Sequence, residues 1–182
     1  GPVDGHDVGL LIDNLSAASE LNGPTLIHVI TRKGKGYEAA EEKADVWHGA
    51  KPFDIATGEF KKGKKAPPSY TNIFSEALIE LAKEDDKIIG ITAAMPDGTG
   101  VSKFGKVFPE RTFDVGMAEQ HGVGYGGALA IEGFRPVIAI YSTFMQRAYD
   151  QIVHDIIGMN LSVTFAMDRA GIVGEDGATH QG

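Results

Sequence analysis

FDVGMAEQHGVGYGGALAIEGFRPVIAIYS, residues 113–142, decides the fold. It reads as strand, turn, helix, strand. Residues 112–115 mix β-branched and aromatic side chains and stop at Gly116. Residues 118–131, rich in Ala and Gly, fit a helix, and Arg135–Tyr141 is a second apolar run entered through Pro136. Two buried strands joined by a helix are a βαβ unit, and ligands in such sheets sit at the carboxyl ends of the strands. Glu119 falls at such an end, in the first turn of the helix. A carboxylate there is either an ordinary partner of the helix dipole or a functional group held at a site, and spacing alone leaves both open.

The pattern continues on either side. In residues 143–160, apolar side chains recur at Phe144, Ala148, Ile152 and Ile156 and again at Met145, Tyr149, Val153 and Ile157, a wide i, i+4 helical face. Residues 162–167 read as a strand, and 168–182 as a long glycine-rich loop at its end. Upstream, 71–83 is an amphipathic helix with Ile73, Phe74, Ala77, Leu78 and Leu81 on one side. Then come a strand over 87–94, a loop over 95–100 (MPDGTG) and a short helix over 101–108. Strands alternating with helices predict an α/β domain with a mainly parallel sheet and flanking helices.

Before this domain the composition changes. Residues 61–69, KKGKKAPPS, have linker character. They separate a first part, 1–60, from a second part, 70–182; counted with the linker, residues 1–69 carry 9 basic and 10 acidic side chains, whereas 70–182 carry 8 and 15. In the first part, Asp7 is a candidate cap for a helix over 8–21, which Asn22-Gly23-Pro24 stops. Residues 25–31 (TLIHVIT) are apolar on both faces, as in an interior parallel strand, with His28 read as a core histidine rather than a ligand. Arg32-Lys33-Gly34-Lys35-Gly36-Tyr37 follows the strand end. Its glycines and lysines suit either contact with an anion or a solvated basic loop; GxxxxGK[ST] is absent. Trp47-His48-Gly49 by itself carries little.

Gly122-Val123-Gly124-Tyr125-Gly126-Gly127 satisfies GxGxxG, but it begins six residues after Gly116, inside the helix. The dinucleotide fold places those glycines in the strand-to-helix turn and an acidic residue at the end of the next strand; Tyr141-Ser142 stands there instead. Close packing of the helix explains the glycines, and nicotinamide dinucleotide binding is not expected.

Composition excludes several classes. The 182 residues are 42% hydrophobic and 23% charged, as in a globular domain. The net charge of −8 argues against nucleic-acid binding. With no cysteine there is no disulfide, thiol nucleophile or cysteine metal site, which suits a reducing compartment. No apolar run approaches the ~20 residues of a membrane span, and no signal-peptide pattern opens the chain. The start at Gly1-Pro2 rather than an initiator Met reads as part of something longer.

The strand ends carry MPDGTG, GMAEQH, YSTFMQR and DRAGIVGEDGATHQG. Together they bring Glu119, His121, Tyr141, Phe144, Arg147, Arg169, Asp176 and His180 to one sheet edge. A carboxylate beside an aromatic ring suits a flat heterocycle, two arginines suit a phosphate or carboxylate, and a histidine on a glycine-rich loop suits proton transfer. Each has an ordinary alternative: Phe144 as core, Arg147 paired with Asp150 or Asp155, His180 as a solvated loop residue.

GMAEQHGV, AIYSTFMQRAYDQIVHD and DRAGIVGEDGATHQG resemble the pyrimidine-binding domain of the transketolase-like thiamine diphosphate enzymes. STFMQRAYDQIVHD is the more specific stretch. With GPVDGHD, TRKGKGYEAAE and the WHG before Lys51-Pro52-Phe53-Asp54, it is similar to the 1-deoxy-D-xylulose-5-phosphate synthase family over nearly the whole chain. The resemblance implies an internal piece of such an enzyme. Residues 1–60 would be the end of the diphosphate-binding domain, a second α/β domain, and 70–182 a truncated pyrimidine-binding domain. It implies a transferase in which pyruvate loses CO2 and its two-carbon unit joins glyceraldehyde 3-phosphate, feeding isoprenoid, thiamine and pyridoxal precursors.

The resemblance also assigns residues. Glu119 would bond the cofactor's aminopyrimidine and so drive removal of the thiazolium C2 proton. Phe144 would stack on the ring, and Tyr37 and Lys33 would lie near the cofactor and its diphosphate. Tyr141, Arg147, Arg169 and Asp176 would surround the substrates, and His48 and His180 would handle protons. The Gly-Asp-Gly motif that binds Mg2+ and diphosphate in the family is absent here, so the metal ligands would lie outside this chain and the chain alone would be inactive. The intact enzyme would be a homodimer of the bacterial cytoplasm or a plastid, with no membrane or nucleic-acid partner. Met117 and Gly122 depart slightly from the usual residues. Another transketolase-like enzyme, or an oxo-acid dehydrogenase subunit, would share Glu119 but lack the Tyr141–Arg147 pattern. A non-catalytic binding domain of the same fold would tolerate loss of Glu119 and His180.

Overall fold

Asp7 sets the first helix. Its carboxylate accepts the Leu10 N–H at 2.9 Å and caps α1 (Val8–Ser19), satisfying one of the donors that a helix start leaves open. The computed structural model describes residues 1–44, 46–61, 63, 67–173, 177 and 179–180. They belong to two units, Gly1–Lys65 and Ala66–Gly182.

In the first unit, β1 (Val3–Asp4) and β2 (Val29–Ile30) pair in parallel, and α2 (Glu38–Glu42) follows. The expected interior strand over 25–31 is therefore only two residues long. Val29 and Ile30 are exposed, Leu26 is 95% exposed, and His28 is a surface residue rather than a core one. A parallel strand is buried only when layers cover both its faces, and α1 has no buried residue to supply one. The unit's packing lies elsewhere. Trp47 meets Tyr37, Phe53 and Phe60 with ring centroids 4.5–5.1 Å apart, within the range where aromatic pairs attract. The basic loop is tied down as well. The Gly36 N–H donates to Glu41 at 2.8 Å and Arg32 pairs with Glu41 at 3.0 Å. The Gly36 hydrogen bond, then the nearby Arg32 charge, hold the Glu41 carboxyl below its ordinary range.

The second unit is a three-layer α/β domain. Its elements are α3 (Tyr70–Glu84), β3 (Ile88–Thr92), α4 (Pro96–Thr99), α5 (Val101–Val107), β4 (Thr112–Asp114), α6 (Glu119–Ile131), β5 (Arg135–Tyr141), α7 (Ser142–Met145), α8 (Tyr149–Gln151) and β6 (Thr164–Asp168). The four strands are all parallel in the order β4-β3-β5-β6. Alternate side chains face opposite ways along a strand, and the packing follows that period. Ile89, Ile91, Ile138 and Ile140 pack with Val123 of α6 and with Met145, Ala148 and Ile156. Ile88 and Val137 pack on the other face with Leu78, Ala82 and Phe104 of α3 and α5. Each large buried aliphatic side chain contributes roughly 1.5–3 kcal/mol.

Three expectations need correction. MPDGTG is not simply a loop, since Pro96 starts the turn α4, as proline does readily at a first helical position. On α3, Ile73 and Leu81 are 51% and 57% exposed; the buried stripe is Ser75, Leu78 and Ala82, which shares Leu78 with the expected one and lies about a quarter turn round the helix. The helix over 143–160 is broken into α7, a 3₁₀ turn at Gln146–Ala148, α8 and a π turn at Ile152–Ile157. Of the second apolar row only Met145 is buried; Tyr149, Val153 and Ile157 face solvent at 68%, 45% and 66% exposure. A helix lying on a sheet buries one stripe, and beyond Met145 the second row points away from the core. No helix among the described residues is long and apolar enough to cross a membrane.

The GxGxxG glycines lie within α6 and act in packing. A Cβ on Gly126 would come within 2.6 Å of Ile138 Cδ1, whereas one on Gly124 would meet nothing. Opposite effects are expected. Gly126→Val overpacks a closed core and should cost about 1–3 kcal/mol. Gly124→Ala removes a helix-interior glycine and should stabilise by roughly 0.5–1 kcal/mol. Melting temperatures of the two variants check this, and a shift of the same sign in both would refute the packing account.

Candidate functional site

The carboxyl ends of β3, β4, β5 and β6 form one edge, and the chain turns sharply along it. Ala94 after β3 and Arg169 after β6 both have left-handed backbone, with φ +59 and +57. Non-glycine residues rarely adopt it and gather at functional sites. Asp114 shapes the neighbouring turn. Its Oδ1 accepts the Ala94 N–H at 2.7 Å and the Gly116 N–H at 3.0 Å, tying the end of β3 to that of β4. Asp114 two residues before Gly116 is an Asx-turn pattern that sequence reasoning passed over. Ala94 carries no sequence signal of its own.

Glu119 is the first residue of α6 and is 3% exposed. Burying an ionised carboxylate is costly unless it is paired. Its partner is Arg147, whose Nη1 donates to Oε2 at 2.9 Å. Arg147 is thus an ion-pair residue, but with neither of the acids expected from its own helix. The partner lies 28 positions away in sequence and arrives through the sheet. Arg147 itself remains 57% exposed.

Three aromatic rings gather at the end of β5. Phe144 stacks on Tyr141 at 5.8 Å with 21° between planes. His180 meets Phe144 edge-on at 5.3 Å and Tyr141 at 6.4 Å. The Arg169 guanidinium carbon lies 3.7 Å from the Tyr141 ring centroid, a cation–π distance. Arg169 Nη1 also donates to Asp168 at 3.1 Å and to the Gly98 carbonyl at 3.3 Å. Asp168 in turn accepts the Thr71 hydroxyl at 3.0 Å. His121, the remaining histidine of the motif, stacks on Tyr125 along α6 at 6.0 Å.

The second unit therefore gathers Tyr141, Phe144, His180 and Arg169 in one group, and joins Glu119 to Arg147 from the segment that carries Phe144. Asp176 lies outside the described residues. The other three candidates belong to the first unit. Lys33 Nζ and His48 Nδ1 lie 2.6 Å apart, so the ammonium donates to the imidazole nitrogen. The Tyr37 ring belongs to the aromatic cluster, and its hydroxyl donates to the Ile55 carbonyl at 3.0 Å. Among the described residues no group of three or more His, Asp or Glu is placed to hold a metal ion. A cleft of about 740 Å³ opens beside β6, with Thr71, Phe74, Thr99, Asp168 and Arg169 among its walls. Glu119 and Phe144 do not line it.

A buried carboxylate paired with an arginine, and an aromatic group on the same sheet edge, are the chemistry that a flat nitrogen heterocycle bearing an anionic group requires. The family model for the transketolase pyrimidine binding domain matches residues 66–182, and the model for 1-deoxy-D-xylulose-5-phosphate synthase matches residues 1–31. All 182 residues align with 1-deoxy-D-xylulose-5-phosphate synthases, at 55% identity in Heliobacterium modesticaldum and 56% in Lachnoclostridium phytofermentans. The chain spans 28% and 29% of the length of those two relatives. Among solved structures, a split-gene transketolase described as an inactive β4 tetramer is 36% identical with a TM-score of 0.51. That match covers 59% of this chain and 35% of the transketolase chain.

Proposed function

Because the chain belongs to the transketolase pyrimidine-binding domain family, we propose that it is part of a thiamine diphosphate-dependent 1-deoxy-D-xylulose-5-phosphate synthase. The whole enzyme would join pyruvate to glyceraldehyde 3-phosphate with release of CO2. The observation that carries this reading is Glu119, buried to 3% exposure at the carboxyl edge of the sheet. The same edge holds Phe144 and the two arginines.

When bound, thiamine diphosphate supplies the electron sink that decarboxylation of a 2-oxo acid requires. The chain's own groups hold and orient it. Glu119 offers a carboxyl group to a ring nitrogen, out of competition with water. Phe144 offers an aromatic face. Lys33 and Tyr37 are assigned to the diphosphate end, and Mg2+, a hard cation that favours oxygen ligands, would come with the diphosphate.

Arg169 offers a planar pair of donors suited to phosphate, and Tyr141, Arg147 and Asp176 are assigned to the substrates with it. His180 and His48 are assigned proton transfer. The Lys33 ammonium at His48 Nδ1 leaves Nε2 as the nitrogen that meets a substrate. Residues 1–60 are assigned to the diphosphate-binding domain and 70–182 to the pyrimidine-binding domain of an intact homodimer.

The test uses the full-length protein with pyruvate, glyceraldehyde 3-phosphate, thiamine diphosphate and Mg2+. CO2 and 1-deoxy-D-xylulose 5-phosphate should form in equal amounts. Two-carbon transfer from a ketose phosphate without CO2 release would show a transketolase instead. In the same assay, Arg169→Ala should raise KM for glyceraldehyde 3-phosphate by roughly 10²-fold, the loss of a charge-assisted bidentate contact, and that for pyruvate far less. Equal changes for both substrates would make Arg169 a structural residue.

A further inference from the structure

Gly98 lies in α4, just beyond the carboxyl end of β3. A Cβ built there would fall inside the Tyr141 hydroxyl, 2.7 Å from Tyr141 Cζ and 3.0 Å from Cε1. Side chains do not pack at such distances, so the tyrosine occupies the volume that any other residue at this position would need. The ring has little freedom to withdraw. It is half-buried, Phe144 stacks on it at 5.8 Å, and the Arg169 guanidinium lies 3.7 Å from its centroid. The Gly98 carbonyl also accepts from Arg169 Nη1 at 3.3 Å. One glycine therefore seats the tyrosine and holds the arginine that lies on the tyrosine's face.

We propose that Gly98 is a positioning residue of the acceptor-substrate site. Its missing side chain seats the Tyr141 hydroxyl against α4, and the seated ring together with the Gly98 carbonyl aims Arg169. The inference rests on the proposed function, which assigns Arg169 to the substrate phosphate. A methyl group at position 98 lifts the ring, and the guanidinium moves with it. Recognition of a phosphorylated acceptor then suffers, while an acceptor without phosphate is bound as before.

The experiment compares D-glyceraldehyde 3-phosphate with phosphate-free D-glyceraldehyde as acceptor, in the full-length protein at saturating pyruvate. Gly98→Ala should raise KM for the phosphorylated acceptor roughly tenfold and leave that for D-glyceraldehyde within about twofold. Arg169→Ala run in parallel separates two failures. If it leaves KM for the phosphorylated acceptor unchanged, the assignment of Arg169 to phosphate is wrong and the role of Gly98 falls with it. If Arg169→Ala raises that KM but Gly98→Ala raises neither or raises both alike, the Gly98 proposal alone is overturned.

Thermal unfolding in the Tyr141→Ala background covers the case in which Gly98→Ala does not fold. Without the ring the added methyl group has room, so Gly98→Ala should fold there and melt close to its parent. Failure to fold in both backgrounds would show that the constraint does not act through Tyr141, and would overturn the proposal.

Discussion

In the full-length protein, Glu119→Gln is expected to slow exchange of the cofactor's C2 proton by about 10²–10⁴-fold, the usual worth of a positioned acid or base. The fold should survive. Glutamine has nearly the same shape, and its amide oxygen still accepts from Arg147, which sits 2.9 Å from Oε2 in the native chain. The substitution removes only the ability to exchange a proton and carry a charge at a site that is 3% exposed. Water cannot substitute for the carboxyl there. Exchange followed by NMR, with a melting curve alongside, separates the chemical loss from a structural one. Unchanged exchange in a folded variant would remove Glu119 from the role proposed for it, leaving a helix-start carboxylate with an arginine partner.

How much of this was legible in the sequence differs by element. Arg135–Tyr141 is a strand with the bounds its apolar run gives, and the GxGxxG run is helical as its offset from Gly116 requires. Period-2 and period-3.6 patterns are local, so a single chain displays them. What was not legible depended on contacts distant in sequence. Residues 25–31 look like a buried strand because their composition is apolar on both faces, but burial is decided by covering layers that the run itself does not encode. Arg147 has acids within reach on its own helix, yet pairs with Glu119 across the sheet. Gly98 looks like a turn glycine in MPDGTG, and its constraint arises from a tyrosine 43 positions away. Asp114 was readable in principle, since Asp two residues before Gly is a local turn signal. The gathering of Tyr141, Phe144, Arg169 and His180 followed from a general rule, that parallel strands present their carboxyl ends together.

The same pairing yields the second large effect. Arg147→Met removes the guanidinium from Glu119 and leaves a carboxylate of 3% exposure without that partner. Breaking a fully buried pair costs about 3–5 kcal/mol. Here Arg147 is 57% exposed, so solvent already screens the attraction and the cost should fall to about 1–3 kcal/mol. For a domain of this size that lowers the melting temperature by roughly 2–8 °C per kcal/mol. Glu119→Gln should cost less, because an amide is cheaper to bury than a charge. The double variant decides whether the pair acts as a unit. With Glu119 already neutral, Arg147→Met leaves no buried charge behind, so the two costs should fail to add by about 0.5–3 kcal/mol. Additive costs would mean that Arg147 stabilises the chain through the packing of its stem. In that case the guanidinium would be available to a substrate anion without giving up Glu119, and the substrate role proposed for Arg147 would be the stronger reading of its exposed charge.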